Sequence, residues 1–131
     1  MIQRRKVQIA FCLSVTLIIY GCFPFGNQER TIAGDYRLVQ FEDGETYYIY
    51  AEGQNKPGGG VIDGTVKRIG WNYRYIIVWQ HSNFRGDPDG WMIINHQNRT
   101  IKGPFSDQEI AGRKEISSID TMSPEVAWEK L

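Results

Sequence analysis

The chain of 131 residues carries 15 basic and 15 acidic side chains, with 41% hydrophobic and 13% aromatic residues and two cysteines. That length suits a single domain, and a neutral balance without a basic block excludes a nucleic-acid binder held by phosphate contacts. Two cysteines exclude a disulfide-dense scaffold.

Arg4, Arg5 and Lys6 stand ahead of an uncharged apolar run from Val7 to Gly21, the pattern of an export signal. A spanning helix needs about 20 predominantly apolar residues. This run is shorter and ends at Gly21-Cys22 instead of a stop-transfer charge cluster. Ile19-Tyr20-Gly21-Cys22 resembles the lipobox of bacterial lipoproteins: a branched apolar residue three before the cut, a small residue beside it, and the obligatory cysteine. Tyr20 departs from that pattern, standing where a smaller residue is usual. The resemblance implies a signal peptide over 1–21, cleavage before Cys22, and diacylglyceryl on its thiol. Each acyl chain contributes about 0.8 kcal/mol per buried methylene, and two or more make a stable membrane anchor. The competing readings are a secretory signal cut elsewhere and an uncleaved anchor. Phe23 follows the cysteine, where an Asp would resemble an inner-membrane retention signal. Its absence implies the outer membrane, facing the periplasm, if the host is Gram-negative.

Loss of residues 1–21 leaves 110 residues, 12 basic against 15 acidic, and Cys22 as the sole cysteine. Such a domain folds without a disulfide, and its charge of −3 (12 against 15) does not draw it to anionic lipid. Residues 22–34 lack a sustained period and hold Pro24, Gly26 and Gly34, so they read as the lipidated cysteine and a tether. Residues 35–131 read as a single β-rich domain. Short runs rich in Tyr, Ile, Val, Trp and Thr predict strands over Tyr36–Glu42, Glu45–Ala51, Val61–Ile69, Tyr73–Gln80, Trp91–Asn95 and Thr100–Lys102. Asp43-Gly44 predicts a tight hairpin whose two tip residues both take positive φ. Trp71-Asn72 and Gln97-Asn98 mark two further turns, and Pro57-Gly58-Gly59-Gly60 a loop.

Two helix starts follow. Ser106-Asp107-Gln108-Glu109 fits a capping box, and Ser123-Pro124-Glu125 combines a cap, a proline at the first helical position and an acid in the first turn. Val126, Ala127, Trp128 and Leu131 are expected to pack on the sheet. The expected fold is α+β, mainly β: an antiparallel meander of about six strands with one or two C-terminal helices.

Chemical motifs are sparse. Trp71, Tyr73, Tyr75 and Trp79 alternate on one face with Ile77, as a sugar-stacking platform would; Ile76 and Val78 make the other face apolar too, which favours a central, buried strand. Glu42, Asp43 and Glu45 bring together carboxylates of the kind glycoside chemistry uses, but at a hairpin tip open to water. Asp87-Pro88-Asp89-Gly90 resembles the start of a calcium loop, yet Asn98 stands where the bidentate glutamate belongs, so a turn is expected. His81 and His96 lack the partners of a zinc site. Ser82 lacks a nucleophile elbow. The triple glycine lacks a Gly-Lys-Ser/Thr continuation. No cofactor is expected.

Three segments carry a wider resemblance: Ile69 to Val78, Trp91 to Asn95, and Gly103-Pro104-Phe105-Ser106-Asp107-Gln108-Glu109. Together they resemble a family of small bacterial lipoproteins known only as a domain of unknown function, which similarly end a strand pair with Gly-Pro-aromatic-Ser/Thr before a helix. The resemblance covers about Asp35 to the C-terminus and implies address and fold, not an activity or active residues. The expected role is a non-enzymatic binding module of the cell envelope, held by lipid on Cys22, with an envelope protein or glycan as partner and no nucleic acid. The alternative is a small hydrolase or inhibitor acting on cell-wall glycan. Binding is expected on the loops Gln54–Gly60 and Gln80–Gly90, with Phe84 and Arg85 as the contact residues. In the competing reading Phe84 covers the sheet edge and Arg85 pairs with Asp87 or Asp89.

Overall fold

The structure, a computed structural model of the chain, describes residues 26–55, 60–62, 64–82 and 88–131. β1 (Gln28–Ala33), β2 (Tyr36–Gln40) and β3 (Tyr47–Ala51) form one antiparallel sheet in that order; β4 (Gly64–Trp71), β5 (Tyr75–Ser82), β6 (Gly90–Asn95) and β7 (Thr100–Phe105) form a second. Three short helices follow, α1 (Asp107–Ala111), α2 (Lys114–Ser117) and α3 (Pro124–Lys130). The fold is the mainly-β α+β class expected from the sequence, with one strand and one helix more. None of the described helices is long and apolar enough to cross a membrane.

The additional strand, β1, lies within the stretch 22–34 assigned to a tether, which therefore gives way to the domain at Gln28. Its sequence shows no alternation because it is an edge strand with a bulge between Thr31 and Ala33, and Ile32 is its buried side chain. The β2–β3 connection also differs from the expected two-residue turn. Gly44 takes positive φ (69°) but Asp43 does not. Instead the Phe41 amide donates to the Thr46 carbonyl at 2.9 Å, and Asp43 Oδ1 accepts the amides of Glu45 (2.9 Å) and Thr46 (2.8 Å). A side-chain acceptor at Asp43 closes the loop in place of a second left-handed residue.

Alternate residues of the first sheet, Tyr36 and Leu38 on β2 and Tyr47, Ile49 and Ala51 on β3, face Val66, Ile69, Ile76, Val78, Met92 and Ile94 of the second. One of these strands, β4, needs a bulge to do so. Val66 and Ile69 are three apart and would point to opposite faces of a regular strand; the irregularity at Lys67 turns both inward. In β7 the shift between Lys102 and Phe105, with Gly103 at φ 130°, pairs both with outward residues, Ile93 and Trp91.

Helix α3 closes this core. Ser123 Oγ accepts the Val126 amide at 3.3 Å, and Pro124 occupies the first turn. Pro124, Ala127, Trp128 and Leu131 follow helical spacing on the packed side, so Val126, expected there, falls off the stripe and is 49% exposed. The Arg30 guanidinium lies 4.5 Å from the Trp128 ring centroid and donates to the Trp128 carbonyl, which fastens β1 to α3.

A second fastening joins the sheets through the β6–β7 loop. Arg99, at φ 61°, places Nη1 2.6 Å from Asp35 Oδ2 and donates from Nη2 to the Glu52 carbonyl. Gln54 Nε2 donates to the Arg99 carbonyl at 2.7 Å, and the Tyr36 hydroxyl donates to Gln54 Oε1. Burial pushes the Tyr36 phenol above its ordinary value, against the opposing effect of nearby Arg99.

On the far side of the second sheet, Ile77 and Ile93 meet Ile116 of α2, with Ile110 and Ile119 beside them. The chain then crosses β4 and bonds to its edge, Ile69 N to Met122 O and Met122 N to Ile69 O, each 2.8 Å. This crossing requires a glycine. A Cβ on Gly70 would sit 2.3 Å from the Asp120 carbonyl oxygen and 2.8 Å from Ile119 Cγ2.

Gly70→Ala is expected to lower stability by about 1–3 kcal/mol, the usual range for overpacking, as measured by urea denaturation; an unchanged midpoint would mean that the crossing segment is loosely held. Tyr36 gives a pH test. Its raised folded value means that stability is complete below the ordinary tyrosine range, about pH 10, and is lost as pH rises through the folded value, because the unfolded chain ionises first. Tyr36→Phe should show a shallower loss of stability in alkali than the parent.

Candidate functional site

Of the residues singled out from sequence, Cys22, Phe84, Arg85 and Asp87 lie outside the described residues, as do Pro57, Gly58 and Gly59. The base of the Phe84–Arg85 loop is described. Asp89 spans it, with Oδ1 accepting the Ser82 amide at 2.7 Å and Oδ2 lying 3.0 Å from His81 Nδ1. The His81–Asp89 pair is solvent-exposed, at 58% and 40% of the side chains, so it contributes little to stability. The Ser82 amide, and after it the His81 ring, hold the Asp89 carboxyl below its ordinary value.

His96 is occupied elsewhere. Its Nε2 sits 3.1 Å from the Asn72 carbonyl and its amide donates to the Arg74 carbonyl at 3.0 Å, tying the β6–β7 loop to the β4–β5 turn. Among the described residues, no group of three or more His, Cys, Asp or Glu could hold a metal ion. At the β2–β3 tip, Glu42, Asp43 and Glu45 are all exposed. Bonds from the Thr46 hydroxyl and from the Glu45 and Thr46 amides lower the Asp43 value. A general acid needs the opposite shift.

The aromatic stripe is split by its own turn. Asn72 Oδ1 accepts the amides of Arg74 (2.9 Å) and Tyr75 (2.7 Å), so the turn expected at Trp71-Asn72 extends to Tyr75 and takes Tyr73 out of its predicted strand. Trp71 therefore packs on the core between the sheets, Tyr75 on the opposite face, and Tyr73 is 75% exposed at the turn. β5 is central, between β4 and β6, with Ile76 and Val78 buried on one face and Ile77 on the other.

What the outer face of this sheet does offer is a groove. Tyr75, Asn95 and Thr100 form one row across β5, β6 and β7, and Ile77, Ile93 and Lys102 form the next. Arg113, the residue capping α2, and Glu115 stand over them, and the space enclosed with Asn98 is about 260 Å³. The Arg113 guanidinium lies 4.2 Å from the Phe105 ring centroid and 3.9 Å from Glu115 Oε1. A second, more open depression of about 370 Å³ is bordered by Trp91, Ile110, Ile116 and Ile119, with Trp91 Nε1 donating to Asp107 Oδ1 at 2.6 Å. Neither groove was foreseen from sequence. Asn95 reads as the end of a strand and Asn98 as a turn residue, and Lys102 reaches the same face as Phe105 only through a bulge that simple alternation does not reveal.

No protein-family model, no curated protein and no solved structure matches the chain. The resemblance to small lipoproteins of unknown function rests on the three sequence segments that carry it.

Acid titration tests the Asp89 brace. Because its folded value is depressed, the stabilisation is present above the ordinary aspartate range, about pH 4, and disappears as pH falls through the folded value. The amide resonance of Ser82 is expected to titrate with a midpoint below that range, and Asp89→Asn should abolish the transition; a midpoint at the ordinary value would show that the bond does not persist in solution.

Proposed function

We propose that the chain is a lipid-anchored, non-enzymatic binding module of the bacterial cell envelope. The observation that carries this reading is the lipobox-like Ile19-Tyr20-Gly21-Cys22 at the end of a short apolar run behind Arg4, Arg5 and Lys6. The start of β1 at Gln28 supports it. Five residues, 23–27, separate the lipid-bearing thiol from the first strand, at most ~20 Å of extended chain. A domain of this size has a radius of gyration of about 13 Å. The body is thus held against the membrane face, and its partner would be an envelope protein or glycan met there.

The second reading, action on cell-wall glycan, is favoured by one observation: Tyr75 and a carboxylate, Glu115, share the groove on the outer face. Glycoside hydrolysis needs two carboxyl groups about 5–10 Å apart. Glu115 is the single carboxylate among the groove residues, which favours binding or inhibition over cleavage.

The anchor is tested with labelled fatty acid. The parent chain is expected to incorporate label, and Cys22→Ser to incorporate none and to retain its uncut signal. Equal labelling of the two would overturn the lipoprotein reading.

A further inference from the structure

The groove between β5, β6, β7 and α2 is unusually one-sided in its hydrogen bonding. Asn95 Oδ1 is committed to the amides of Gln97 (3.0 Å) and Asn98 (3.2 Å), and Asn98 Oδ1 to the amide (3.1 Å) and hydroxyl (2.7 Å) of Thr100. These backbone donors fix the orientation of both side-chain amides, since a reversed amide would oppose N–H to N–H. The two NH2 groups are left as donors, with no acceptor among the described residues. The same holds for the Lys102 ammonium, and the Arg113 guanidinium has only the distant Glu115 and the face of Phe105. Two cations face a single carboxylate in this groove, although the chain beyond residue 21 has a surplus of acids.

Free donors on the residues that line a polar groove call for a ligand rich in acceptors and negatively charged. We propose that this groove binds an oxyanion, a carboxylate or phosphate, carried on a small polar molecule of about monosaccharide size. Lys102 and Arg113 would face the charge, Asn95 and Asn98 would donate to its neutral oxygens, and the Tyr75 hydroxyl and ring would border the remainder. The inference deepens the binding-module reading and rests on it, but not on the lipid anchor. The oxyanion has two sources in an envelope, the carboxylate of an acidic wall sugar and the phosphate of a polymer or headgroup.

The test is a titration of the full chain in detergent, following the side-chain amide resonances of Asn95 and Asn98. The probes are N-acetylmuramic acid, inorganic phosphate and uncharged N-acetylglucosamine. A saturable response to muramic acid, to phosphate or to both supports the proposal and identifies the source, provided that N-acetylglucosamine binds at least tenfold more weakly. Asn98→Asp is the informative variant: it keeps the oxygen that Thr100 uses and replaces the free NH2 with an acceptor. It is expected to weaken anion binding tenfold or more with the melting temperature nearly unchanged, and Lys102→Gln to weaken it in the same direction. No response to either anion would overturn the proposal, as would equal binding of the uncharged sugar or parent-like affinity in both variants. Failure of the Cys22→Ser labelling test leaves these results untouched, so the two readings fail separately.

Discussion

Neither face of β5 reaches water at its centre. Ile76 and Val78 point one way and Ile77 the other, and all three are buried. A strand of this kind demands a cover on each side, and the rest of the chain supplies two different ones. The inner cover is a sheet, whose Tyr36, Leu38 and Ile49 are themselves fully buried. The outer cover is made of short helices and the segment that crosses Gly70. The first of these helices has its N-terminus satisfied locally by the reciprocal Ser106–Glu109 box, and the second is held because its Ile116 reaches Ile77 and Ile93. Helices this short would not persist alone.

The two covers differ in extent. The three-stranded sheet is fastened at both ends, by Arg30 on Trp128 and by Arg99 on Asp35 and Glu52. The helical cover leaves the row Tyr75, Asn95 and Thr100 beside an open groove. Polar side chains on that row are tolerated because water still reaches them, and turn bonds at Asn95 and Asn98 hold their amides in one orientation. The incomplete cover is therefore what makes a recessed polar surface available on an otherwise apolar sheet face.

Much of this was legible in the sequence, and the exceptions share a cause. The centrality of β5 follows from apolar residues on both parities of its run, and the two helix starts from their caps. Both are local patterns that tertiary structure reinforced. β1 was not legible, because an edge strand with one core residue, Ile32, and a bulge carries no period. The turn at Trp71-Asn72 was legible but its extent was not: the Asn72 side chain carries it on to the amides of Arg74 and Tyr75, so Tyr73 falls outside the strand that begins at Tyr75. The groove was hidden for a third reason. Its residues come from β5, β6, β7 and α2, and their convergence depends on register shifts that no short window of sequence contains.

The bulge in β7 has an effect beyond aiming Lys102 outward. β7 is the outer strand of its sheet, and there the ladder is interrupted at Gly103 and followed by Pro104, which has no amide hydrogen to offer. An incoming strand would find neither a regular register nor a full row of donors. A regular, fully donating edge would let two copies of the domain join their sheets, and the irregular margin at Gly103-Pro104 works against that pairing.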